Sequence, residues 1–169
     1  MITLVLGGAR SGKSEYAEKL AARAEAGGCR VTYVATAVAA GDPDFEDRIG
    51  RHRERRPDSW ATDEPGPELV SYLRAERSTA TLLIDSLGTW VASVSDFAVD
   101  ADGFCAALRA RRGDTIVVSE EVGMGVHPST ELGGRFRDAV GTLNQGVANT
   151  ADQVLLVVAG RALTLGKGG

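Results

Sequence analysis

Apolar positions in this chain follow two rhythms. Unbroken runs at ITLVL (Ile2–Leu6), VTYVAT (Val31–Thr36), TLLID (Thr81–Asp85), TIVVSEE (Thr115–Glu121) and QVLLVVAG (Gln153–Gly160) predict short strands buried on both faces. Between them the period lengthens. Tyr16, Ala17, Leu20, Ala21 and Ala24 recur at helical spacing, and Gly27–Gly28 closes that segment as a C-cap does. Asp42 as N-cap and Pro43 at the first helical position open a short helix that Pro57 ends. GPELVSYLRAER (Gly66–Arg77) and DGFCAALRARR (Asp102–Arg112) are helical, the second with Asp102 as its candidate cap, and LGTWVASV begins a helix of poor propensity. Leu132, Phe136, Val140, Leu143 and Val147 trace one apolar helix face despite interspersed glycines. Beyond Gly160 the tail is weakly patterned. Strands alternating with helices point to parallel βαβ units within one domain over 1–169.

The first strand runs into GGARSGKS, which fits G-x-x-x-x-G-K-[ST] with Gly7, Gly12, Lys13 and Ser14 at the fixed positions. Glycines let successive N–H groups of Gly7, Gly8, Ala9, Arg10, Ser11 and Gly12 curl around phosphate oxygens, and the following helix start adds partial positive charge. Lys13 is expected to reach the β- and γ-phosphates and the Ser14 hydroxyl to bind Mg²⁺. A strand before the motif and a patterned helix after it give the context a chance match lacks. The fold class is therefore α/β and P-loop NTPase-like, a mostly parallel open sheet with helices on both faces. Asp85, ending the TLLID strand, is a candidate Mg²⁺ ligand or else a cap of the next helix. Gly7, Thr36, Asp85 and Glu121 are expected to converge at the carboxyl ends of the strands. Glu121 is a candidate nucleotide contact and kinase base, with pairing to Arg135 or Arg137 as the equally weighted structural alternative.

Composition narrows the class. A formal net charge of −4 argues against a general nucleic-acid binder, so the arginines of DRIGRHRERRP (Asp47–Pro57) are a local feature. Two cysteines, Cys29 and Cys105, make no metal or disulfide pattern, and no apolar run is long enough to span a bilayer, so a cytoplasmic protein is expected. Phe45, Ile49 and His52 lie at i, i+4 and i+7 of the proposed helix, which puts His52 on its apolar side. That spacing alone does not choose between a packed histidine and a nucleophile. His127, beside Pro128, reads as a loop histidine.

Taken together, LVLGGARSGKS, YVATA, RIGRHRERRPDSWATDEP, LLIDSLGTWV, VVSEEVGMGVHP and GRFRDAVGTLNQGVANTADQV resemble the bifunctional adenosylcobinamide kinase and adenosylcobinamide-phosphate guanylyltransferase family of cobalamin biosynthesis. The resemblance implies phosphorylation of adenosylcobinamide with ATP or GTP. It also implies transfer of GMP from GTP to adenosylcobinamide-phosphate through a GMP–histidine intermediate, and a homo-oligomer, a trimer. The family's H-x-x-x-R-P pattern ahead of a tryptophan falls on His52, Arg56, Pro57 and Trp60, which gives His52 the nucleophile role and Arg56 a phosphate contact. Three positions depart from the family pattern: Glu120 stands where an amide is expected, Ser86 where a cysteine is, and Ser93 where an asparagine is. A carboxylate beside nucleotide phosphates weakens binding unless Mg²⁺ or arginine compensates. Two other classes compete, a P-loop small-molecule kinase without guanylyl transfer and a GTP-binding switch, the latter on the D-x-x-G match at Asp85–Gly88. The absence of an N-K-x-D run weighs against the switch.

Overall fold

Every apolar run named above becomes a strand of one seven-stranded sheet in the computed structural model, which describes residues 1–37, 50 and 56–166. The strands are β1 (Ile2–Gly7), β2 (Val31–Ala35), β3 (Ala61–Asp63), β4 (Thr81–Asp85), β5 (Thr115–Glu120), β6 (Gln153–Val158) and β7 (Arg161–Leu165). Their order is β3-β2-β4-β5-β1-β6-β7. Every neighbouring pair is parallel except β6 and β7, which form an antiparallel edge.

Because side chains alternate across a strand, each run supplies both cores. Val5, Leu83, Val118 and Leu155 face helix α1 (Lys13–Ala26), where Ala17 and Ala21 let it approach closely, and Trp60 fills the flank. Leu4, Leu82, Ile84 and Val117 face the other way, toward α2 (Leu69–Ala75), α3 (Leu87–Ser93), α4 (Ala101–Ala110) and α5 (Glu131–Thr150). Trp90 of α3 and Phe104 of α4 pack ring against ring there, at 5.0 Å between centroids. Burying each such leucine completely stabilises the fold by roughly 1.5–3 kcal/mol before entropy is charged against it.

The structure departs from the sequence expectations at several points. Asp100, not Asp102, caps α4: its carboxylate accepts from the Gly103 N–H at 2.8 Å, while Asp102 lies inside the first turn. An acid there still complements the helix dipole. Of the predicted face of α5, Val140, Leu143 and Val147 are buried, Phe136 is partly buried, and Leu132 is exposed. The weakly patterned tail folds as β7, and WATDEP contributes the short β3. The helix expected between Asp42 and Pro57, and with it the face carrying Phe45, Ile49 and His52, lies outside the described residues. Among the described residues no helix is long and apolar enough to cross a membrane, and Cys29 and Cys105 are both free thiols.

Candidate active site

The glycine-rich turn runs from the end of β1 into α1 with two residues in the left-handed region, Arg10 at φ 56° and Gly12 at φ 88°. That alternation bends the chain tightly, with the Ser11 N–H on the Gly8 carbonyl and the Lys13 N–H on the Ser11 hydroxyl, each at 3.3 Å, and Gly12 offers the start of α1 no side-chain cap. The orphan N–H groups of a helix start make an anion site when nothing else satisfies them. Gly7 has no room for a side chain: a Cβ there would lie 2.8 Å from the Val157 carbonyl and closer still to the Ser11 hydroxyl. The turn is braced from the adjacent β6–β7 hairpin, where the Gly160 N–H donates to the Ser11 carbonyl at 2.8 Å. Ala9 and Arg10 are exposed, Gly8, Ser11 and Ser14 are half-buried, and Lys13 is buried. The Lys13 ammonium points back into the turn, 3.5 Å from the Gly8 carbonyl.

The four strand ends expected to converge lie side by side. The Glu121 N–H donates to the Gly7 carbonyl at 3.0 Å, and the Thr36 N–H donates to the Asp85 carbonyl at 3.3 Å. Thr36 is fully buried and ties β2 to the turn after β4: its hydroxyl donates to the Ser86 carbonyl (2.6 Å) and accepts from the Ser86 N–H (2.8 Å). Asp85 Oδ2 accepts from the Tyr33 hydroxyl at 2.8 Å, and the Arg56 guanidinium lies over the Tyr33 ring at 3.4 Å from its centroid. Burial, then the adjacent Asp85 charge, pushes the Tyr33 hydroxyl far above the ordinary tyrosine range, so it stays a donor at any working pH. Arg56 thus reaches the Asp85 corner of the sheet. Trp60 holds the chain just beyond it, with its Nε1–H on Glu25 of α1 at 2.9 Å and the Ser59 hydroxyl on the same carboxylate.

Two acids occupy places the sequence left undecided. Glu121 pairs with neither Arg135 nor Arg137, which bond Asp96 and Asp138. Its Oε1 instead accepts from the N–H groups of Gly123 and Met124, shaping the loop that exposes Met124 and Val126. Glu120 turns toward the P-loop. Its Oε1 lies 3.6 Å from the Lys13 ammonium and accepts from the Ser86 hydroxyl at 2.8 Å, while Oε2 accepts from the Gly88 N–H at 2.9 Å. The buried amide of Asn144 donates to the Glu120 carbonyl at 3.0 Å and fixes that strand end from α5. Tyr33, Glu120, Asn144 and Gly160 carry no motif of their own. Tyr33 and Asn144 lie in segments that carry the family resemblance, but only Glu120 stands out individually, as an acid where an amide is expected. The Asp85–Gly88 match is the start of α3: Ser86 is its N-cap residue, and its N–H donates to the Thr89 hydroxyl at 3.2 Å. Ser93 bonds back to its own helix at the Trp90 carbonyl. His127 is exposed and meets the Pro128 carbonyl; His52 lies outside the described residues.

A parallel sheet whose first strand enters a glycine-rich turn, a buried lysine and a helix start defines a P-loop phosphate-binding protein. The flagellar accessory protein FlaH of Methanocaldococcus jannaschii has a similar fold, with TM-score 0.58 and 14% identity over 97% of this chain and 77% of that one. Residues 3–165 match the family model described as cobinamide kinase / cobinamide phosphate guanyltransferase, and the chain belongs to that family. It is 41% identical to the bifunctional adenosylcobalamin biosynthesis protein CobP of Pseudomonas aeruginosa, over 98% of this chain and 97% of that protein. The protein CobU of Escherichia coli, which bears the same bifunctional description, is 33% identical over 95% of this chain and 97% of its own.

Proposed function

We propose that the protein uses the P-loop for two successive transfers to a corrinoid. In the first, the aminopropanol hydroxyl of adenosylcobinamide attacks the γ-phosphorus of ATP or GTP. A new O–P bond forms, the bond from the γ-phosphorus to the β,γ-bridging oxygen breaks, the nucleoside diphosphate leaves, and the hydroxyl proton passes to solvent. In the second, a neutral nitrogen of His52 attacks the α-phosphorus of GTP and pyrophosphate departs. A phosphate oxygen of adenosylcobinamide-phosphate then displaces the histidine, giving adenosylcobinamide-GDP. The observation that supports this reading is that the P-loop after β1 and the Asp85 corner reached by Arg56 lie along the same carboxyl edge of one parallel sheet, with β5 between β1 and β4, and that Arg56 follows closely on His52 in the chain.

The roles follow from chemistry. Gly7 to Gly12 offer backbone N–H groups to the phosphates, Lys13 neutralises them, and Arg56 stabilises charge building on the α-phosphate. A histidine nucleophile must be neutral, and adjacent arginine charge disfavours the imidazolium; the sequence sets Arg51 and Arg53 on either side of His52. Ser14 and Asp85 present the hard oxygen donors that suit Mg²⁺, which takes few protein ligands and fills its shell from phosphate and water. Bound there, Mg²⁺ supplies charge neutralisation of the phosphates. Glu121, engaged with the Gly123–Met124 backbone, shapes the loop beside the site. A homotrimer acting in the cytoplasm completes the proposal, and light scattering tests the trimer.

The decisive experiment incubates the protein with GTP labelled at the α-phosphate, then with adenosylcobinamide, and follows protein and corrinoid by mass. His52→Ala is expected to abolish the protein–GMP adduct while phosphorylation of adenosylcobinamide persists. An undiminished adduct removes His52 from the mechanism. Phosphorylation with no adduct in the unaltered protein favours the small-molecule kinase instead.

A further inference from the structure

We infer that Glu120 makes the P-loop discriminate between cation-complexed and free nucleotide, selecting the former. This rests on the reading of Lys13 as the nucleotide's phosphate ligand. The Lys13 ammonium is buried, its side chain 5% exposed, and the nearest opposite charge among the described residues is Glu120 Oε1 at 3.6 Å. The carboxylate cannot easily turn away. One oxygen accepts from the Ser86 hydroxyl, the other from the Gly88 N–H, and Asn144 holds the carbonyl of the same residue. Gly88 keeps the space open, since a Cβ at that position would collide with Oε2. Glu120 is thus anchored on the protein side, next to the very cation that phosphates must reach.

A polyphosphate entering the turn faces two electrostatic consequences. It must share or take Lys13 from its counter-ion, and it must bring its own negative charge close to a fixed carboxylate. The Lys13 side chain is 5% exposed and that of Glu120 22%, and a charge contact shielded to that degree is worth more than one in bulk solvent. A nucleotide carrying a divalent cation arrives with much of that charge cancelled, and its cation tolerates or welcomes a nearby carboxylate oxygen. Free nucleotide has no such relief. The lysine supplies attraction for both forms, and the carboxylate supplies the difference between them.

The test measures GDP binding to the full-length protein by calorimetry, with excess magnesium and separately with EDTA. In the unaltered protein the metal-free dissociation constant is expected to exceed the magnesium one. Glu120→Gln keeps an acceptor for Gly88 and a polar partner for Ser86, and it is expected to tighten metal-free binding about tenfold or more. The ratio of the two constants shrinks accordingly. Glu120→Ala, which removes the charge and both acceptors, is expected to shift the ratio the same way, so the outcome does not hang on one variant folding. A ratio unchanged within twofold in both variants overturns the inference. Absence of GDP binding to the unaltered protein with magnesium would instead overturn the underlying nucleotide-site reading, so the two failures are distinct.

Discussion

Replacing Tyr33 by phenylalanine removes one oxygen and tests how the Asp85 corner is held together. The ring is 2% exposed, and its face under the Arg56 guanidinium survives the change. What is lost is the 2.8 Å hydrogen bond to Asp85 Oδ2. A hydrogen bond to a charged acceptor contributes about 1.5–3 kcal/mol, but Asp85 is only partly buried and water can replace part of it, so about 1–2 kcal/mol is expected. For a chain of this length that lowers the thermal midpoint by roughly 2–8 °C at neutral pH. The pH dependence is more diagnostic. The native Tyr33 hydroxyl is raised above its unfolded value of about 10, so its linked stability is fully present below about pH 10. Above that pH the unfolded chain releases the proton and the native state does not, and stability falls by about 1.4 kcal/mol per pH unit for this one group. Phenylalanine has no proton to release. The gap between unaltered protein and variant should therefore narrow between about pH 10 and 11, measured by urea denaturation at each pH. Tyr72, raised by burial and by its bond to Asp63, leaves a residual alkaline slope in both proteins. An equal midpoint at neutral pH, or a gap that stays constant through pH 11, would refute the account. A double-mutant cycle with Asp85→Asn should return a coupling of the same order.

Trp60→Ala empties a nearly buried site and cuts the tie to Glu25; the expected loss is about 3–5 kcal/mol in denaturant unfolding. Because Trp60 anchors the chain that leaves Arg56, formation of the GMP adduct should drop by a larger factor than kinase turnover, and equal losses would count against that anchoring role. Gly12→Ala forces a side chain into φ 88° with its Cβ 3.2 Å from the Gly160 Cα. It is expected to cost about 1–2 kcal/mol of strain and to weaken GDP binding as the start of α1 shifts, which calorimetry checks directly.

The buried strands were readable because both of their faces are covered, so they appear as continuous apolar runs with no competing helical reading. β3 and β7 were not. β3 has only three residues and is joined through its backbone to one neighbour, and all five residues of β7 lie exposed, so neither imposes an apolar pattern. The site divides along the same line. The P-loop is local, so spacing alone reveals Gly7, Gly12, Lys13 and Ser14. Glu120 meets Lys13 only because β5 lies beside β1 in the sheet, and Asn144 meets Glu120 only because α5 returns across it. Such approaches are set by topology, and no short segment encodes them. The Asp100 cap shows a smaller version: two acids stand near one helix start, and only the backbone geometry decides which of them faces Gly103.

The Ala159–Gly160 turn has a bearing on how this chain can be altered. A tight, exposed turn at the edge of a sheet is ordinarily where a loop can be lengthened or a foreign segment inserted at little cost. Here the second residue of that turn is hydrogen-bonded to the P-loop, and its Cα stands against Gly12. Lengthening the hairpin by even one residue would withdraw a strut from the phosphate site without touching a residue that contacts nucleotide. Fusion or insertion designs should avoid that turn, whose geometry serves the phosphate site as well as the edge strand it introduces.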